Sequence, residues 1–411
     1  MHKKKRLLID VSNLTISLTE FKRTGIQEVI YQVLINIPKL RDRFPEYEIW
    51  LAPFLPNRAP LNGSPGTPAF IFEEIEDSLR LPSRDIWGFD LKGDHKFEMS
   101  HEVILDFLSG GDAIHFQNLY SMKALLNYMR SEYFKTYERT SCTAYDITPI
   151  LYPEYAVEGV INMFKNHYVP GFEMLDQIIS ISRHTMIDVH DFLLKSNMKI
   201  PKLSYIHLPG YSTNTTLGNQ VTPPDLAAQL KDLNYFVVIG SLEPRKNIAI
   251  LIKAFQIFKE TDRDNFKLVF VGKSGWKANS IYAAIEENPL AKENILFTGY
   301  LEDRPMLEVV KGSKGLCMIS CYEGFGIPLA MAASLGAPVM TNLGSSLPEA
   351  CQYQGVFVDS HDEWSIASGF RSLSKARRHS SRFEFSWPDY TEHLLNKLLP
   401  FSDGNGIHRE G

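Results

Sequence analysis

Glu323 is the residue of this sequence best placed to do chemistry. It stands in Ser320-Cys321-Tyr322-Glu323-Gly324-Phe325-Gly326-Ile327-Pro328, directly after the apolar run Gly315-Leu316-Cys317-Met318-Ile319. That run lacks two-residue alternation and is followed by turn residues, so it reads as a short buried parallel strand. Gly324 and Gly326 let a ligand approach the backbone, and Pro328 suits the first position of a helix through Leu329, Ala330 and Met331. A carboxylate and backbone N–H groups then meet between a strand's carboxyl end and a helix N-terminus, which favours an anion such as a diphosphate. A lone Glu-Gly, however, also suits the strand-to-helix connection of any α/β protein.

Three other junctions have the same character. The buried run Tyr235-Phe236-Val237-Val238-Ile239-Gly240 leads into Glu243-Pro244-Arg245-Lys246-Asn247 and a helix with Ile248, Leu251, Ile252 and Phe255 on one side. Arg245 as a bidentate fork and Lys246 as a point charge are placed to meet a diphosphate, although an isolated Arg-Lys is also an ordinary solvated pair. Thr24-Gly25-Ile26-Gln27 opens a helix through Val29, Ile30, Val33, Leu34 and Ile37, where Gly25 either holds a phosphate or sugar or simply makes a turn. Asp146 ends the strand Cys142-Thr143-Ala144-Tyr145, where open α/β sheets place ligands, and it also fits a helix cap.

The string Glu323-Gly324-Phe325-Gly326-Ile327-Pro328, continued by Leu335-Gly336-Ala337-Pro338-Val339, closely resembles the donor-site signature of family-4 retaining glycosyltransferases of the GT-B fold. The resemblance implies an α/β chain of two Rossmann-like domains facing a central cleft. It also implies retaining, metal-independent transfer of a hexose from a nucleotide-diphosphate sugar to a hydroxyl of a glycan or lipid-linked glycan, in polysaccharide or O-antigen biosynthesis. No cofactor is implied beyond the nucleotide sugar as co-substrate. Arg245 and Lys246 match the family's Pro-Arg-Lys-Asn element and would meet the diphosphate with the backbone at Gly324, Phe325 and Gly326. Glu323 would orient the transferred sugar, while Tyr145 and Asp146 would line its pocket. Gly25 would face the donor across the cleft, with Gly272 and Thr298 in donor-side strand ends.

The sequence departs from the family at three places. Ser241 replaces an arginine, Tyr145 a histidine, and Met331 the glutamate that accepts hydrogen bonds from ribose hydroxyls eight residues after Glu323. A thioether is a weak acceptor, so Met331 raises the expectation of a deoxythymidine diphosphate donor beside the conventional UDP- or GDP-sugar. Tyr145 and Met331 also keep open a catalytically silent homologue that binds another transferase or a glycan. An α/β oxidoreductase is excluded, because no Gly-x-Gly-x-x-Gly follows a strand.

The elements that must hold these residues divide the chain into an amino-terminal domain (1–210), a Thr/Asn/Gly/Pro-rich linker (211–232), a nucleotide-sugar domain (233–385), and a helix crossing back with its tail (386–411). A length of 411 residues fits such a division, and 44% hydrophobic with 22% charged residues is the composition of a soluble globular protein. A net charge of −5 gives no sign of nucleic-acid affinity. No apolar run reaches about 18 residues, and the run after the basic start is too short for a signal peptide. The four cysteines read as reduced thiols, and the Asn-x-Ser/Thr triplets at Asn13, Asn62 and Asn214 as unglycosylated. The protein is therefore expected in the cytoplasm, with room for peripheral contact at the inner membrane face. The Pro/Gly-rich segment 53–68 reads as an exposed loop of the acceptor side. Asp262-Arg263-Asp264 reads as a solvated turn, and His115, His184 and His190 lack metal-ligand spacing. Gly272-Lys273-Ser274 is no P-loop, since Lys267 occupies the place of its first glycine.

Overall fold

The computed structural model describes residues 5–10, 25–52, 54–55, 69–70, 73–74, 112–119, 129–130, 134–210, 223–261, 264–275, 279–286, 289–379 and 385–399. The expectations resting on Thr24, most of 53–68, residues 211–222, Asp262, Arg263, the three Asn-x-Ser/Thr triplets and the tail after 399 lie outside them. The chain forms two compact units, Met1–Ile206 with Trp387–Gly411, and His207–Ser386.

Unit 1 contains β1 (Lys5–Asp10), α1 (Gly25–Leu40), β2 (Tyr47–Ala52), β3 (Glu73–Glu74), β4 (Ala113–Phe116), β5 (Arg139–Ala144), β6 (Gln177–Ser180), α2 (Arg183–Lys195) and β7 (Lys202–Tyr205). The strands lie in the order β3-β2-β1-β4-β5-β6-β7, all parallel except the β2–β3 pair. Continuous apolar strands suit a sheet covered on both faces, and Leu7, Leu8 and Ile9 of β1 are fully buried. One face packs Leu8, Ile114, Phe116, Cys142, Ala144 and Ile178 with Val189 and Leu193 of α2. Ser182 caps α2 by accepting from the Thr185 N–H at 3.0 Å.

Unit 2 contains β8 (Tyr235–Ile239), α3 (Ile248–Lys259), β9 (Lys267–Val271), β10 (Ile295–Gly299), α4 (Asp303–Gly312), β11 (Gly315–Met318), α5 (Ile327–Ser334), β12 (Val339–Thr341), α6 (Leu347–Ala350), β13 (Val356–Phe357) and α7 (Glu363–Lys375). Its strands are all parallel, in the order β10-β9-β8-β11-β12-β13. The chain starts at β8, builds outward to β10, then returns to place β11 on the other side of β8. The switch point therefore lies between β8 and β11, where open α/β sheets form their ligand crevice. The core beneath is aromatic. Phe236 stacks on Phe266 at 4.7 Å, and Phe370 of α7 meets Phe236 and Phe255 at 5.1 and 5.3 Å. The spacing of Ile248, Leu251, Ile252, Phe255 and Phe258 puts all five on the buried face of α3.

Two local readings change. A helix, Pro224–Leu230, stands within the stretch expected as linker and belongs to unit 2, because Pro224 starts it and Leu226 and Leu230 recur four residues apart. Ile327, and not Pro328, is the first residue of α5, after Gly326 in the left-handed region at φ 101°. The helix α8 (Trp387–Leu398) packs on α1 within unit 1.

Candidate active site

The two loops at the switch point of unit 2 bring Lys246 to Glu323 from 77 residues away, with Arg245 beside it. Lys246 Nζ lies 2.6 Å from Glu323 Oε1, and Arg245 Nη1 lies 2.7 Å from Glu323 Oε2. Each carboxylate oxygen thus has its own cation. Burial pushes the Glu323 carboxyl up, but Lys246 and Arg245 outweigh it and hold the group down at about 2, against an ordinary 4.5. At neutral pH Glu323 is an acceptor and not an acid.

The backbone around the cluster is equally constrained. Glu243-Pro244-Arg245-Lys246-Asn247 forms a 3₁₀ turn in which the Lys246 N–H donates to the Glu243 carbonyl at 3.0 Å. Asn247 leaves it in the left-handed region, φ 58°, and its amide donates to the carbonyl of Ser360 at 2.8 Å. Arg245 Nη1 also donates to the Tyr322 carbonyl at 2.6 Å, and the Cys321 N–H donates to the Arg245 carbonyl at 2.8 Å. The Glu323 N–H is not open to a ligand, because it donates to Ser345 Oγ at 3.1 Å. The Ser346 hydroxyl donates to the Glu323 carbonyl at 2.8 Å. Sequence reasoning missed Ser345 and Ser346 as supports of Glu323, since they lie 22 and 23 residues away.

Glycines end three adjacent strands at this edge. Gly240, Gly272 and Gly299 have φ of 134°, 152° and 70°. A Cβ on Gly272 would fall 2.1 Å from the Gly240 carbonyl oxygen, and one on Gly240 would crowd Lys246 Nζ at 3.3 Å. Gly272 therefore has a packing reason to be glycine, and Gly240 makes room for the lysine. A cavity beside the cluster is lined by Gly240, Ser241, Lys246, Cys317 and Ser320. The buried Ser320 hydroxyl has no hydrogen-bond partner among the described residues. Thr298, in β10, turns its hydroxyl onto the Phe270 and Gly299 carbonyls. Phe325 is buried with its ring 6.2 Å from His207, and Met331 is buried on α5.

In unit 1, Gly25 is the exposed first residue of α1. Asp146 Oδ1 accepts from the Thr148 N–H at 3.0 Å, which is the turn-capping geometry. Tyr145 is enclosed, and its hydroxyl has no partner among the described residues. Burial pushes that hydroxyl well up, and the neighbouring Tyr390, Tyr168 and Asp10 add to the shift. His115 is a buried structural residue hydrogen-bonded with Ser141 and Thr143, its pKa pushed down to about 3 by burial. Among the described residues no group of three His, Cys, Asp or Glu could hold a metal ion, and no helix is long and apolar enough to cross a membrane.

Residues 227–384 match the model of the family described as glycosyl transferases, group 1. The chain is similar to O-antigen chain mannosyltransferase B of Escherichia coli, 31% identical over 183 residues, 42% of this chain and 48% of that one. It is also similar to the serotype-specific mannosyltransferase WbdA of Escherichia coli, 26% identical over 268 residues, 62% of this chain and 33% of that one. The chain thus spans a third to a half of the length of these relatives. A solved E. coli structure described as trehalose-6-phosphate bound with UDP-2-fluoro glucose superposes with a TM-score of 0.61 at 10% identity, covering 96% of this chain and 99% of that one. The fold is GT-B.

Proposed function

We propose that this chain is a glycosyltransferase that moves a hexose from a nucleotide-diphosphate sugar to a hydroxyl of a glycan or lipid-linked glycan in O-antigen or polysaccharide biosynthesis. The observation that carries the reading is the ionised Glu323 held between Arg245 and Lys246 at the switch point of unit 2, inside the stretch that matches glycosyl transferases group 1. The names of the relatives make mannose the first sugar to try.

The chemistry follows from what each group can do. Departure of a nucleoside diphosphate builds negative charge on its terminal phosphate, and fixed cations in a partly buried site lower the energy of that state. Lys246 Nζ carries three donors, of which Glu323 takes one in this structure. Glu323, a carboxylate with fixed oxygens, accepts hydrogen bonds from sugar hydroxyls and orients the ring for attack. With no side chain assigned as a covalent nucleophile, attack of the acceptor on the face the diphosphate leaves is the route to retention. The reaction needs no metal, because the two cations take the part of a divalent ion. In this reading Gly25 faces the donor, and Tyr145 and Asp146 line the pocket of the transferred sugar. A lipid-linked acceptor would bring peripheral contact with a membrane. Neither departure that favoured a silent homologue, Tyr145 or Met331, is a member of the Glu323 cluster.

The test is to incubate the purified full chain with GDP-, UDP- and dTDP-hexoses and a polyprenyl-linked glycan, with and without chelator. The readouts are nucleoside diphosphate release and the anomeric configuration of the product. The expected result is chelator-resistant release with a retained anomer. Binding of a glycan with no release from any donor would replace this reading with the silent homologue.

A further inference from the structure

The geometry points to Glu243 as the positioning residue that holds Arg245 on Glu323, an assignment that rests on the transferase reading for its catalytic meaning but not for its structural content. Glu243 Oε1 accepts from Arg245 Nη2 at 3.1 Å, while Nη1 of the same guanidinium serves Glu323 Oε2 and the Tyr322 carbonyl. A guanidinium is planar, so fixing both terminal nitrogens fixes the plane in which the fork meets Glu323. The two carboxylates are enclosed to similar degrees, with side-chain exposures of 19% for Glu243 and 11% for Glu323.

The backbone makes this contact automatic. Glu243 caps the 3₁₀ turn with extended φ and ψ of −144° and 154°, and Pro244 follows it with a fixed φ. The turn closes through the Glu243 carbonyl and the Lys246 N–H, so the residue that shapes the loop also orients its arginine.

The charges argue for the same role. Glu243 and Glu323 against Arg245 and Lys246 sum to zero, so Glu243 opposes the binding of a diphosphate. A residue whose task was donor affinity would not place a carboxylate here. One whose task is to hold Arg245 in register would, and removing it separates turnover from affinity. Glu243→Ala is expected to lower kcat by about 10-fold to 100-fold, the scale on which small misplacements act, with no rise in the KM for the nucleotide sugar. Glu243→Gln keeps an oxygen for Nη2 and is expected to restore most of that loss. Because it removes one negative charge, it should also bind the free nucleoside diphosphate at least as tightly as the wild type.

Steady-state kinetics of both variants, calorimetry with the nucleoside diphosphate, and a crystal structure of the Glu243→Ala protein make the test. Arg245 turned away from Glu323 in the crystal, with the kcat loss and the Gln rescue, supports the assignment. A raised KM at unchanged kcat would mean that Glu243 contacts the ligand itself, and would overturn it. An Arg245 that stays on Glu323 in the Ala variant would overturn it as well. If the wild type turned over no donor, the transferase reading would fail, and the crystal structure would still decide whether Glu243 positions Arg245.

Discussion

Glu323→Gln tests the charge cluster most directly. The substitution keeps the size of the side chain and one acceptor oxygen but removes the charge that Arg245 and Lys246 share. In the folded protein the carboxyl is held at about 2 against an ordinary 4.5. Because the folded value is the lower one, the group adds stability above about pH 4.5, and that stability is lost as the pH falls toward 2. The shift corresponds to about 3 kcal/mol at pH 7 and roughly half of that at pH 3. Loss of one partner from a buried ion pair reaches about 3–5 kcal/mol; here Glu243 stays beside Arg245 as a counter-ion, which favours the lower end. Urea unfolding of the full chain at pH 7, 4 and 3 should show wild type and variant converging as the pH falls. Calorimetry at pH 7 should show the variant binding a nucleoside diphosphate as tightly as the wild type or more so, while turnover collapses. A stability difference independent of pH, or a loss of diphosphate affinity with turnover kept at saturation, would refute the reasoning.

Arg245→Ala and Lys246→Ala should each lower kcat/KM for the donor by about 1.5–3 kcal/mol, the worth of one hydrogen bond to a charged group, without loss of the fold; unchanged turnover at subsaturating donor in both would remove their diphosphate role. Tyr145→Phe deletes a buried hydroxyl without a partner among the described residues, so thermal unfolding should show equal or higher stability, and a raised KM for the nucleotide sugar would show that the hydroxyl waits for the transferred sugar. Gly272→Ala forces a Cβ to within 2.1 Å of the Gly240 carbonyl oxygen at φ 152°, and should destabilise the chain by clearly more than about 1 kcal/mol in thermal or urea unfolding. Met331 offers ribose hydroxyls no strong acceptor, so dTDP should bind about as well as UDP or GDP, and binding of either ribonucleotide about tenfold, or 1.4 kcal/mol, tighter would exclude a deoxy donor.

The strands of unit 2 were legible because parallel strands between two layers of helix are apolar along their whole length, as β8 and β11 are. The apolar face of α3 was equally plain from its spacing. What periodicity could not reveal were contacts between loops. The meeting of Glu323 with Lys246 could be approached only through a resemblance, because strand order alone brings residues 77 apart together. Glu243 gave no signal, since a contact from i to i+2 around a proline has no counterpart in helical or strand spacing. The polar residues around Pro224 concealed a short helix for a similar reason: two leucines four apart are a weak pattern beside four prolines and asparagines.

The pairing of α1 with α8 bears on how the chain is made. Roughly 350 residues separate Leu40 from Trp387, and a ribosome adding about 5–20 residues per second needs on the order of 20–70 s to bridge them. For that interval the part of α1 that α8 covers has no mate. The continuous unit 2 can close its own sheet meanwhile. Unit 1, begun before unit 2, is thus completed after it, and its earlier part has to be kept from aggregating until α8 has been made.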